Sequence, residues 1–125
     1  MEPWHIVTKD DLPKEMVPKR YWVNPKLLDN AKKEVERLQT YFLEKSYSSR
    51  CSPMVVAPKA TIPFIRICGD YRKINEYIKF FQAFIPNVQI ELQKISKFKY
   101  FCDVDLANAF HQIPIDEFSS ELLSI

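Results

Sequence analysis

Apolar positions recur at three- and four-residue steps most clearly through Leu27, Leu28, Ala31, Val35, Leu38 and Phe42, with Lys32, Lys33, Glu36 and Arg37 largely on the other side. That spacing predicts an amphipathic helix. Asn24 is a good N-cap and Pro25 a good first helical residue. The serines at 46, 48 and 49 predict an end near Lys45. Two short β-type runs follow, residues 54–57 and 64–68, and a six-residue connection between them predicts a hairpin. Strand alternation puts Phe64, Arg66 and Cys68 on one face and Ile65 and Ile67 on the other, so Arg66 stands on a rigid strand and Lys59 at the hairpin tip. Residues 70–75 read as a turn or short helix. The aromatic stretch 77–85 reads as core or loop packing, and residues 88–97, after Pro86, as a short amphipathic helix.

Residues 100–106 carry the Tyr, Phe, Cys and Val content of a strand, with Cys102, Val104 and Leu106 on one side and Phe101, Asp103 and Asp105 on the other. Residues 112–115 predict a second short strand. Residues 1–23 have three prolines and no period, which predicts an extended lead-in packed on other segments, some of them outside this chain. His5 in that lead-in reads as a packing or surface residue rather than a ligand. The pattern as a whole is α+β.

Composition changes this picture mainly through glycine. There is one, Gly69, in 125 residues, against roughly nine at average usage. That excludes a P-loop, a Rossmann fingerprint and any other glycine-cradled phosphate site. The three cysteines are an odd, widely spaced set with no C-x-x-C, arguing against a disulfide framework or zinc site. No run approaches the length of a membrane span, and the start lacks a secretory pattern. The expectation is an intracellular chain, cytoplasmic or nuclear and not secreted, without a membrane partner.

The net charge of +2 is unevenly laid out. Residues 51–100 carry eight Lys/Arg against three Asp/Glu, whereas residues 101–125 carry none against five. A basic middle and an acidic end suit a site that holds a polyanion with metal ions, or are solvated surface charge. Asp103 and Asp105, two apart on a predicted strand, share a face. Like charges so placed favour a cation between them, and Mg²⁺ takes such hard oxygen ligands. The alternative is that one carboxylate simply faces water.

Four ordered blocks carry a family resemblance. Residues 101–115, Phe-Cys-Asp-Val-Asp-Leu-Ala-Asn-Ala-Phe-His-Gln-Ile-Pro-Ile, resemble the first palm motif of retroelement reverse transcriptases. Residues 52–59, Ser-Pro-Met-Val-Val-Ala-Pro-Lys, resemble that family's first finger strand, and residues 66–75, Arg-Ile-Cys-Gly-Asp-Tyr-Arg-Lys-Ile-Asn, its "R-x-C-x-D-Y-R-x-L-N" segment. The helix with Ala31 to Val35 resembles the one preceding them. Order and spacing agree over residues 20–125, nearest to the LTR-retrotransposon, gypsy-like group.

The resemblance implies the fingers subdomain (24–97) and first part of the palm (98–125) of a right-hand polymerase, truncated, with 1–23 as lead-in. It implies template-directed deoxynucleotidyl transfer on an RNA or DNA template-primer, with Mg²⁺, or Mn²⁺ in its place. Asp105 matches the metal-binding catalytic aspartate and Leu106 the carbonyl ligand to the nucleotide-side metal. Lys59 and Arg66 match residues that hold the triphosphate of the incoming deoxynucleotide. The amides of Asn108, Ala109 and Phe110 would line the same phosphates, and Phe110 matches the aromatic gate that leaves no space for a 2′-OH. Arg66 as an ion-pair partner of Asp70, and Phe110 as core, are the structural alternatives.

Departures accompany the likeness. The finger loop, Lys59 to Arg66, lacks the family's turn glycine and second basic residue, which leaves the register of Lys59 open. No "Y-x-D-D" pair occurs within the 125 residues. The expectation is therefore a polymerase fragment, inactive alone, completed by the remainder of a polyprotein. The competing expectation is a non-catalytic nucleic-acid-binding remnant.

Overall fold

The computed structural model describes residues 1–125. Asn24 opens the first helical stretch by accepting the Lys26 N–H on its side-chain oxygen at 3.1 Å. A 3₁₀ turn, Pro25–Leu27, then runs into α1, Leu28–Tyr41. α1 buries Ala31, Glu34 and Leu38, the face the periodicity selects. It ends four residues before Lys45, where the Phe42 and Leu43 amides both turn back to the Leu38 carbonyl. Buried Glu34 is held by the Arg37 guanidinium at 2.7 and 2.9 Å, and that hydrogen bonding keeps its carboxyl below the usual range.

The hairpin forms as expected: β1, Met54–Pro58, pairs antiparallel with β2, Ile65–Gly69, in a two-stranded sheet. α1 packs on β2, whose Ile65 is 1% exposed. α2, Arg72–Asn75, α3, Val88–Ile95, and α4, Glu117–Leu122, complete the regular elements. No helix is long and apolar enough to cross a membrane. All three cysteines are free.

The lead-in is extended but belongs to the body of the molecule. Isolated bridges join Trp4 to Ile115, Thr8 to Ile78 and Met16 to Arg50. A core of Met16, Ile74 and Leu122 forms between lead-in, α2 and α4, flanked by Ile6, Leu12, Tyr71 and Phe118. Ser119, fully buried, accepts the Ile6 N–H at 2.8 Å. His5 is a packing residue, stacked on Phe118 and bonded to Asp116.

Three expectations fail, for a common reason. Residues 100–106 form no strand, because no second strand is present for them to pair with. Residues 112–115 likewise make no strand; Ala109–Gln112 is a 3₁₀ turn, and Ile115 has only its bridge to Trp4. The aromatics of 77–85 are not core: Phe80, Phe81 and Phe84 are exposed, since no element lies over them. α3 does form where expected, with Asn87 as its cap, yet its apolar side chains stay exposed too.

Acid sensitivity follows from the carboxylates. Asp116 caps α4, and the Ser119 side chain, then His5, then the Ser119 amide hold its pKa down to about 2. The Arg72 guanidinium, helped by the Tyr21 hydroxyl, holds Asp70 lower still. Each folded-state value lies below the unfolded one, so the stability they contribute is present above about pH 4 and is lost as protons bind on descent toward about pH 2. The urea midpoint is expected to be level between about pH 7 and 5, to fall steeply below about pH 4, and to fall less in Asp116→Asn. A midpoint unchanged in strong acid would contradict this.

Candidate functional site

Two groups of expected site residues occupy two different scaffolds. On the hairpin, Ala57 stands opposite Arg66 and Pro58 opposite Ile65. Because Ile65 turns inward, strand alternation turns Arg66 outward, and it is exposed. Lys59 begins the loop, its amide donating to the Phe64 carbonyl at 2.9 Å. That loop closes without a glycine: Phe64 takes φ 66°, a left-handed conformation costing an L side chain roughly 1 kcal/mol.

Neither cation has an ion-pair partner. The pairing of Arg66 with Asp70 is excluded, since Asp70 is taken by Arg72 at 2.6 and 2.8 Å and by the Tyr21 hydroxyl at 2.7 Å. This Tyr21–Asp70–Arg72 group, absent from the sequence reading, ties the lead-in to the end of β2. The two-residue spacing of Asp70 and Arg72 was its only sequence signal.

The second group lies on the extended segment after α3 and the turn that follows. Asn108 adopts φ 52°, left-handed backbone that asparagine tolerates, and so turns the chain sharply beyond Leu106. Its carbonyl accepts the His111 amide at 2.9 Å, and Gln112 Nε2 donates to the Ala107 carbonyl at 2.7 Å. The His111 ring stacks on Phe42 with centroids 5.5 Å apart, which tethers the turn to the end of α1. The amides of Ala109 and Phe110 open the 3₁₀ turn and have no carbonyl within it to bond. Phe110 is 90% exposed, so it is not core. Asp103 and Asp105 are exposed and engage no cation.

The fold thus gathers Lys59 with Arg66, and Asp105 and Leu106 with Asn108, Ala109 and Phe110. No hydrogen bond or ion pair joins the two sets. No group of three or more His, Cys, Asp or Glu converges as a metal site. The fit to a divalent cation is therefore partial: Asp105 offers hard carboxylate oxygens, without a closed shell.

Comparison with known proteins gives the chain its relatives and its fold. No family model matches the chain. The Retrovirus-related Pol polyprotein from transposon 412 of Drosophila melanogaster is 30% identical over 122 residues, covering 93% of this chain and 10% of the polyprotein. Its counterpart from transposon 297 is 39% identical over 86 residues, 66% of this chain and 8% of the polyprotein. The chain is homologous to a segment of these Pol polyproteins.

A solved structure of the foamy viral protease-reverse transcriptase in complex with dsDNA superposes on this Pol-like chain with a TM-score of 0.70 and 21% identity. The match covers 95% of this chain and 25% of that one. At that identity the likeness establishes the fold: the mixed helix-and-hairpin arrangement is that of part of a reverse transcriptase. The chain spans about a tenth of the length of the curated relatives it matches.

Proposed function

We propose that residues 1–125 are the nucleotide-binding fingers and first palm portion of a retroelement RNA-directed DNA polymerase, which transfers deoxynucleotides to a primer end. The observation that supports this most directly is the pair of unpartnered cations, Lys59 and Arg66, displayed outward on a hairpin braced by α1. They stand in the same short chain as an unpaired Asp-x-Asp.

In this reading Arg66 and Lys59 neutralise and orient the triphosphate of the incoming deoxynucleotide. A guanidinium fork offers paired N–H donors to phosphate oxygens, and a strand fixes its direction. The amides at the start of the 3₁₀ turn face the same anion, and the exposed Phe110 ring stands under the sugar, where its bulk excludes a 2′-OH. Asp105 and the Leu106 carbonyl would hold Mg²⁺, which when bound stabilises the attacking and leaving oxygens of an in-line displacement. Within residues 1–125 Asp105 is the one carboxylate this reading assigns to the metal, so these residues are expected to bind nucleotide without extending a primer.

The test is a titration of the chain with a deoxynucleoside triphosphate, followed by amide chemical shifts. Arg66→Ala is expected to weaken binding about tenfold, the loss of one charge-assisted contact, with Arg66→Lys intermediate. Shifts are expected in β2 and around Ala109 together. Unchanged affinity in Arg66→Ala, or shifts confined to other surfaces, would sink the reading.

A further inference from the structure

The two sets of site residues share no hydrogen bond or ion pair, yet both lean on one helix. The hairpin packs on α1 through β2, where buried Ile65 precedes Arg66. The turn after Asn108 meets α1 at its C-terminal end, where the Phe42 and His111 rings stack with centroids 5.5 Å apart and planes 27° from parallel. α1 therefore stands as a spacer between the hairpin cations and the turn that carries Phe110.

Both sides of that ring contact are held locally. At the helix end the Phe42 amide donates to the Leu38 carbonyl at 2.8 Å, and the Tyr41 ring lies against Phe42 with centroids 6.2 Å apart. On the other side His111 belongs to the same 3₁₀ turn as Ala109 and Phe110, Ala109–Gln112. A shift of the His111 ring is therefore passed to the Phe110 ring and to the amides beside it. Past the turn the chain is fixed, since the Pro114 carbonyl accepts the Trp4 amide at 2.9 Å and the Asp116 amide donates to the Trp4 carbonyl at 3.1 Å. The stack on Phe42 decides how the turn is inclined between these fixed points. An aromatic pair of this kind favours the docked arrangement by roughly two- to tenfold.

We infer that Phe42 and His111 are positioning residues for sugar selection: their stack fixes the Ala109–Gln112 turn against α1 and so sets where the Phe110 ring stands relative to Arg66. This rests on the nucleotide reading above and adds to it the contact that places the gate. The hairpin anchors the triphosphate, and the turn meets the sugar. A ring excludes a 2′-OH only if those two are held at one separation, and a turn free to tilt away admits it. Neither Phe42 nor His111 touches the nucleotide; each acts through Phe110. Asp105 and Leu106, which precede the turn, stay free for the metal.

The test titrates the chain with dATP and with ATP and takes the ratio of the two affinities. Base and triphosphate are common to both, so the ratio reads the sugar contact. The wild type is expected to favour dATP, and Phe110→Ala to lose that preference. Phe42→Leu and His111→Leu are each expected to reduce it about two- to tenfold. The two changes together should reduce it no further than the larger one alone, because both remove the same contact. His111→Tyr keeps a flat ring and is expected to keep the preference, which a general loss of folding would not allow. Thermal melting checks the fold of each variant, and His111 is exposed, so its replacement leaves the core intact and carries the test should Phe42→Leu unfold. Without nucleotide, Phe42→Leu is expected to move the amide resonances of Ala109 and Phe110. An unchanged preference in both leucine variants, losses that multiply in the double variant, or a wild type that binds dATP and ATP equally would overturn the inference and leave triphosphate binding standing. A chain that binds neither nucleotide, nor inorganic tripolyphosphate, would overturn the nucleotide reading and this inference with it.

Discussion

Met16→Ala is expected to destabilise the chain by about 2–4 kcal/mol, the cost of emptying a packed core position. Met16 is 5% exposed and shares its cluster with Ile74 and Leu122, each 1% exposed. The site cannot collapse easily, because the backbone on both sides of the cavity is pinned. The Met16 amide donates to the Ser49 carbonyl, and the Met16 carbonyl accepts the Cys51 amide, both at 3.0 Å. Only nine of 125 residues are buried, so few other contacts can compensate. For a small domain with a margin of roughly 5–10 kcal/mol, this removes a large share. Val17→Ala is the control: Val17 is 83% exposed, and its truncation should change stability by less than about 0.5 kcal/mol. Urea unfolding followed by far-UV circular dichroism reads both. A Met16→Ala loss no greater than that of Val17→Ala would show that the lead-in is not part of the cooperative unit.

That result bears on what could be read from the sequence. α1 and the hairpin were legible because their signals are local: a cap, a period and a short connection, each complete within about twenty residues. The lead-in was not, since its bonds reach from Trp4 to Pro114 and from Lys9 to Tyr77. No period records pairings of such long range. α4 went unread although Asp116 caps it and Phe118 and Leu122 lie one helical turn apart, because six residues give periodicity little room. Residues 100–106 show the opposite case. Their alternation is real, but a strand is a relation between two segments, and alternation specifies one face of one of them.

The candidate site divides in the same way. The motif order picked out Arg66 and the Asp103–Phe110 segment, and the fold displays both outward. What no motif could show was which competing partners each charge has. Asp70 is committed to Arg72 and Tyr21, and Arg66 is free because of it. The groove between α1 and β1, about 400 Å³ and lined by Val23, Leu28, Val35, Met54 and Val56, was equally hidden, since it is made of two elements rather than one.

Gly69→Ala is the second large effect expected, about 2–3 kcal/mol, from a lost hydrogen bond and displaced packing together. The reason is space rather than backbone freedom: Gly69 ends β2 without a positive φ. A Cβ there would lie 2.4 to 2.7 Å from the far edge of the Tyr71 ring, closer than atoms can approach. A tyrosine end can often swing aside, but this one is fixed. Its hydroxyl donates to the Leu123 carbonyl at 3.0 Å, and its ring packs on the Met16–Ile74–Leu122 cluster. Making room therefore breaks the bond that ties β2 to the end of α4 and loosens the core beneath it. Two further measurements separate this cause from a generic strand effect. In a Tyr71→Ala background the alanine at 69 should cost less than about 0.5 kcal/mol, because the clash has no partner left. Burial also holds the Tyr71 phenol above the usual tyrosine range, with the Cys51 thiol adding to it. In Gly69→Ala its titration, followed by the ring resonances, should move back toward the ordinary value as the ring is expelled. Equal costs in the two backgrounds would mean that Tyr71 does not set the requirement. The lone glycine would then need another explanation than the ring that crosses it.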